Sequence, residues 1–198
     1  MARQWGRAGL LGLAALLGAC SLTPPAGAPV PPDQRWMPPA WTAWAAQGRL
    51  AIRRGDEGLN AGFRWRQMPD AYDIQLSGPF GQGGVRILGN ENGVTLETAD
   101  GRRDGAADPE RLMARHLGWS LPVSGLRYWV RGEAEPGQPA RWQRDDRGRP
   151  RRLHQSGWDI YYLAYRTWGV DELPRVVRLE RSDLEVRLVI DRWEPLDE

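Results

Sequence analysis

Leu184-Glu185-Val186-Arg187-Leu188-Val189-Ile190-Asp191 repeats with a period of two. Leu184, Val186, Leu188 and Ile190 fall on one face, and Glu185, Arg187, Val189 and Asp191 on the other. That alternation is the mark of a strand with one buried face. The same period recurs far upstream. Leu50 and Ile52 alternate with Arg49, Ala51 and Arg53, and Leu59, Ala61, Phe63 and Trp65 alternate with Asn60, Gly62, Arg64 and Arg66. Tyr72, Ile74 and Leu76, then Val85 and Ile87, then Val94 and Leu96 extend the pattern. Turn-forming runs separate these stretches: Arg54-Gly55-Asp56, Met68-Pro69-Asp70, Gly78-Pro79-Phe80-Gly81 and Asn90-Glu91-Asn92-Gly93. One apolar and one charged face, repeated in this way, describe an antiparallel meander covering a core on one side. Further strands fall over 141–144, 151–155, 158–165 and 175–181.

Between the two strand groups the period becomes helical. Asp108-Pro109-Glu110 supplies an N-cap, a proline at the first helical position and an acidic first turn. Leu112, Met113, His116 and Leu117 follow at helical spacing, and Gly118 ends the run. A second short helix is expected over 124–131, burying Leu126, Trp129 and Val130. A third is expected from Pro39 to Gly48, with Trp41, Trp44 and Ala45 on one face. Strands, helices and strands again give an α+β domain over 40–198. About ten or eleven antiparallel strands curl, and helices across the mouth of a curled sheet enclose a volume.

The N-terminus reads differently. Arg3 and Arg7 precede an apolar run over 10–17, which leads through Gly18 and Ala19 to Cys20. This is a secretory signal over residues 1–19 ending at a lipobox cysteine, and it is too short to span a bilayer. Cys20 is then the site of lipid attachment: its thiol would carry diacylglycerol and its amine a further acyl chain, enough for stable anchoring. Residues 20–39, with seven prolines, form an extended tether. Ser21 after the cysteine favours outer-membrane sorting by the enterobacterial rule.

Removing residues 1–19 from 198 leaves 179, enough for one domain with a sizeable core. No internal disulfide is available, because Cys20 is the only cysteine. The net charge of +2 is lost with Arg3 and Arg7, so the pI argues for no nucleic-acid partner. All 27 basic residues are arginine. The cluster Arg141, Arg144, Arg147, Arg149, Arg151 and Arg152 is interleaved with acid and reads first as a solvated hairpin, with anionic head groups as the alternative.

Catalytic chemistry finds little purchase. His116 and His154 have no metal-ligand spacing around them, so neither a metal nor a cofactor is expected. There is no nucleophile elbow around Ser156. Gly81-Gln82-Gly83-Gly84 lacks the lysine of a phosphate loop. Asp145 and Asp146 read as turn residues, and no enzyme is expected.

Several segments, in order, resemble the LolB family of outer-membrane lipoprotein receptors. They are Trp65-Arg66-Gln67, the Gly78-Pro79-Phe80-Gly81-Gln82-Gly83 turn, Leu121-Pro122-Val123, Leu126-Arg127-Tyr128-Trp129-Val130-Arg131-Gly132, Gln155-Ser156-Gly157-Trp158 and Ile190-Asp191-Arg192-Trp193. The resemblance implies an incomplete antiparallel barrel, capped by helices, with an apolar cavity for acyl chains. It further implies acylated lipoproteins as cargo, the periplasmic carrier LolA as donor, outer-membrane phospholipid as acceptor, and a periplasm-facing monomer anchored at Cys20. The cavity contacts would then come from the inward residues Leu50, Ile52, Phe63, Trp65, Ile74, Leu76, Val85, Ile87, Leu96, Leu188 and Ile190, with Trp119 and Trp129 near the lid. Alternation alone is the same for residues that line a cavity and residues that fill a core. A structural or assembly lipoprotein with a filled core and protein partners is therefore the alternative. Phe80 stands where the family usually carries leucine. By its own turn it could plug the sheet end or project; the resemblance implies a projecting, membrane-contacting side chain.

Overall fold

The computed structural model describes residues 35–78, 84–117, 120 and 122–196. Eleven strands form one antiparallel sheet. They are β1 (Trp44–Arg54), β2 (Glu57–Gln67), β3 (Ala71–Ser77), β4 (Gly84–Asn90), β5 (Gly93–Thr98), β6 (Arg103–Ala106), β7 (Ala140–Arg144), β8 (Pro150–Gln155), β9 (Trp158–Trp168), β10 (Asp171–Arg181) and β11 (Leu184–Pro195). The order across the sheet is β6-β5-β4-β3-β2-β1-β11-β10-β9-β8-β7. Two meanders are thus joined where the first strand pairs with the last, Arg54 opposite Leu184 and Trp44 opposite Pro195. The edges β6 and β7 do not pair, so the sheet is open. Two helices, α1 (Pro109–Leu117) and α2 (Val123–Trp129), lie in the connection between those edges. This is the α+β domain that the periodicity implies, with the unclosed sheet that the family resemblance implies.

One face of the sheet carries the core. Leu50 and Ile52 of β1, Phe63 and Trp65 of β2, Leu153 of β8, Ile160 of β9, Leu179 of β10 and Val186 of β11 join a single apolar cluster. Leu112 and Met113 of α1 and Val123, Leu126 and Trp129 of α2 close onto it. The start of α1 is capped as its sequence requires: Asp108 Oδ1 accepts the backbone N–H of Glu110 at 2.9 Å.

Two expectations need correction. No helix forms from Pro39 to Gly48: residues 39–43 are irregular and β1 begins at Trp44. Trp44 and Ala46 are buried while Gln47 is exposed, a period of two. Trp44 stacks between Trp65 (4.9 Å) and Trp193 (5.1 Å), contacts that only a strand between β2 and β11 can make. Gly48, read as a helix stop, sits at a bulge opposite β11, where a Cβ would lie 2.1 Å from the Val189 carbonyl oxygen. Glycine is there for close approach of two backbones, not for a cap.

The second correction is β6, which the alternation did not reveal. Arg-Asp-Gly-Ala has no apolar period, and it is a strand only because β5 pairs with it. This short edge is protected by α1: His116 Nε2 lies 2.7 Å and Arg115 Nη2 3.4 Å from Asp104 Oδ2. A short, polar, covered edge is a common defence against edge-to-edge association.

Candidate functional site

Most of the residues singled out as acyl contacts belong to, or pack against, one apolar cluster. Leu50, Ile52, Phe63, Trp65, Ile74, Ile87, Leu96, Trp129, Leu188 and Ile190 are buried within the one cluster. Leu76 and Val85 are only half-buried, and they face each other across β3 and β4. That pair sits beside Ser77 and Gly84, next to residues 79–83. Cys20, Phe80 and Trp119 lie outside the described residues.

Both halves of the sheet bring mainly aliphatic side chains to this cluster, with Trp44, Phe63 and Trp65 from β1 and β2 and Trp158, Tyr162 and Trp193 from β9 and β11 as its aromatic members. They differ in how the covering helix is held. Gln155 is 1 % exposed and uses its whole amide: Oε1 accepts Trp129 Nε1 (2.7 Å) and the Glu135 N–H (2.9 Å), and Nε2 donates to the carbonyls of Glu135 (2.9 Å) and Gln138 (3.1 Å). A buried amide with all its partners rigidifies what it joins. Here it joins α2 and the segment after it to β8. Gln67 makes a smaller version, accepting Trp65 Nε1 (3.2 Å) and donating to the Met68 carbonyl (2.7 Å).

Arg131 is the third buried polar side chain among the described residues. Its guanidinium donates to the carbonyls of Trp41 (3.0 Å) and Pro39, and it pairs with Glu133 at 3.2 Å. The segment entering the domain is thereby strapped to the end of α2. Sequence reasoning quoted Gln155 and Arg131 within motifs but assigned neither a role. The available signal was a Gln and an Arg embedded among aromatic, core-type residues.

The arginine-rich hairpin is largely solvated, with Arg141, Arg144, Arg147 and Arg151 exposed, and it is laced by ion pairs. Asp145 accepts Arg149 Nε at 2.7 Å and the backbone N–H groups of Arg147 and Arg149. Arg149 also reaches Glu172 (3.0 Å), and Arg152 pairs with Asp159 (2.9 Å). Asp145 thus serves as a turn-former, as its adjacency to Asp146 suggested. A cleft of about 850 Å³ opens at the ends of β3 to β6, lined by Tyr72, Leu88, Val94 and Ala106 with polar Arg66 and Asp73. Burial pushes the Tyr72 phenol up to about 12, so it stays neutral there.

The comparisons agree with this geometry. The family model described as "Outer membrane lipoprotein LolB" matches residues 42–193. The outer-membrane lipoprotein LolB of Alkalilimnicola ehrlichii is 40% identical over 196 residues, covering 95% of this chain and 96% of its own. That of Stutzerimonas stutzeri is 41% identical over 152 residues, covering 77% and 74%. Among solved structures, a LolA superfamily protein from Nitrosomonas europaea shares the fold with a TM-score of 0.54 at 10% identity, covering 84% of this chain and 90% of that one. The chain belongs to the LolB family of outer-membrane lipoproteins.

Proposed function

We propose that the protein receives lipoproteins at the outer membrane and inserts them there, holding their acyl chains against the inner face of the sheet. The observation that carries this reading is the single apolar cluster under the helices, half-open at Leu76 and Val85, in a chain of this family. Acyl chains in water cost roughly 0.8 kcal/mol per methylene, so a triacylated protein needs a shielded route across the periplasm. The chain has no nucleotide motif, so transfer runs downhill from carrier to receptor to bilayer. LolA is the donor in this reading and outer-membrane phospholipid the acceptor. Residues 1–19 are removed, Cys20 is acylated, residues 20–39 tether the domain, and the domain faces the periplasm as a monomer. Its role is binding and transfer, with no catalytic step.

Aliphatic side chains suit this role because they can part and close again without breaking hydrogen bonds. Trp129 and Trp119 stand at the lid in this scheme, with Leu188 and Ile190 at the back of the chamber. Purified protein should bind a fluorescent fatty acid and release it to an acylated peptide. Failure to bind would favour a filled core and an assembly role. Phe80 is assigned to release. The variant Phe80→Glu should accept lipoprotein from its carrier yet fail to pass it to liposomes, whereas equal loss of both steps would mean that Phe80 is a plug.

A further inference from the structure

Five hairpins in the described residues turn in two residues, and four of those turns are wholly polar or glycine: Gly55-Asp56, Glu91-Asn92, Ser156-Gly157 and Ser182-Asp183. The fifth is Gly169-Val170, between Trp168 and Asp171. Gly169 has a φ of 63°, which explains the glycine. Nothing in the turn requires a β-branched apolar residue beside it. Val170 is nonetheless 97 % exposed, and it packs on nothing.

Its surroundings are graded in polarity. Below Val170, Trp168 is half-buried, with the Arg166 guanidinium 4.8 Å from its ring. Trp36 lies one residue pair further in, donating Nε1 to the Glu172 carbonyl at 2.7 Å. An apolar tip, tryptophans behind it and arginine beside them match the layering of a bilayer interface from acyl region to head groups. Asp171, opposite Trp168, keeps such a contact shallow.

The position of this turn supplies the partner. Because every connection is antiparallel, the turns alternate between the two ends of the sheet. Gly169-Val170 lies at the end where β1 begins and β11 finishes. The chain enters at that end: Arg35 and Trp36 pack on the β7–β8 turn, with the Trp36 N–H on the Arg147 carbonyl at 2.9 Å. Only 14 residues separate Arg35 from Cys20. The Ser77 and Gly84 ends of β3 and β4, which flank Phe80, lie at the opposite end.

We propose that the Gly169-Val170 turn, backed by Trp168, is a second bilayer-contact site, which seats the tether end of the domain on phospholipid. This inference rests on acylation at Cys20. The opposite end stands roughly 35 Å away, the length of an eleven-residue strand. A proline-rich tether of this length could reach about 45 Å. The domain can therefore rest on Val170 with the opposite end turned away from the leaflet.

The test uses the full-length acylated protein, reconstituted in phosphatidylethanolamine–phosphatidylglycerol vesicles with brominated acyl chains. Val170→Cys and, at the far end, Asp56→Cys each carry a nitrobenzoxadiazole label. Quenching several-fold stronger at 170 than at 56 is expected, with a blue-shifted emission at 170 alone. On the unlabelled native chain, amide exchange over 168–171 should slow on reconstitution relative to detergent. Equal or reversed quenching, or unchanged exchange, would overturn the contact while leaving the anchor intact. Protein that does not float with the vesicles at all would overturn the anchor, and this seating with it.

Discussion

The β1–β6 meander and the β7–β11 meander bury the same kind of face but hold it by different means. In the first, Ile74, Ile87, Val94 and Leu96 meet through dispersion alone, and the covering helix α1 is tied by surface pairs, His116 and Arg115 to Asp104. In the second, Trp129 of α2 packs near Trp158, with ring centroids 6.3 Å apart, and is hydrogen-bonded to buried Gln155. Apolar contacts can slide and re-form, whereas a satisfied buried amide is lost outright if its partner moves. The first half is thus the yielding wall and the second the frame. A receptor that must take up and give away acyl chains needs both.

The sharpest way to break the comparison is Trp129→Ala. It opens a cavity in the frame and removes one of the four hydrogen bonds of the Gln155 amide, so stability should fall by about 3–5 kcal/mol, read from the denaturant midpoint. A loss no greater than that of a first-half aliphatic truncation would erase the distinction. Next in size is Gly48→Ala, at the seam between the halves. Its Cβ would meet the Val189 backbone carbonyl first, at 2.1 Å, and a cost of about 1–3 kcal/mol is expected by thermal melting. A neutral result would show that the β1–β11 seam can adjust.

Leu76→Glu sharpens the other side. Leu76 is half-buried, so the melting temperature should drop by only a few degrees while fatty-acid binding falls at least tenfold. Unchanged binding would remove Leu76 from the acyl surface. The smallest effect concerns pH. The His116 hydrogen bond holds the Asp104 carboxyl below the usual carboxylate range. A depressed carboxyl stabilises the fold above its unfolded pKa, and that stability is lost as pH falls through the folded value. Amide exchange in α1 should therefore quicken below about pH 4, and Asp104→Asn should abolish the step. An α1 whose exchange ignores acid would mean that the aliphatic contacts alone hold it.

Much of this was legible in the chain itself. Leu50, Ile52, Phe63, Trp65, Leu188 and Ile190 announce their buried face through period-two alternation, and Asp108-Pro109 announces the start of α1. Trp41, Trp44 and Ala45 fit a helix locally at i, i+3, i+4 spacing with Gly48 as its stop, and only pairing with β2 and β11 decides otherwise. Leu59 alternates with the core residues yet stays largely exposed, since it lies beside the β1–β2 turn where nothing covers it.

What the sequence determined alone is whatever depends on neighbours a few residues away: strand and helix periods, the N-cap and the turn glycines. What only the tertiary structure decided depends on partners far along the chain. The β1–β11 seam joins residues some 140 apart, β6 exists because β5 lends it hydrogen bonds, and Gln155 and Arg131 find partners 26 and 92 residues away. The physical reason is range. Local propensities amount to tenths of a kcal/mol per residue, whereas a backbone ladder or a buried amide network is strong enough to override them wherever the fold brings it together.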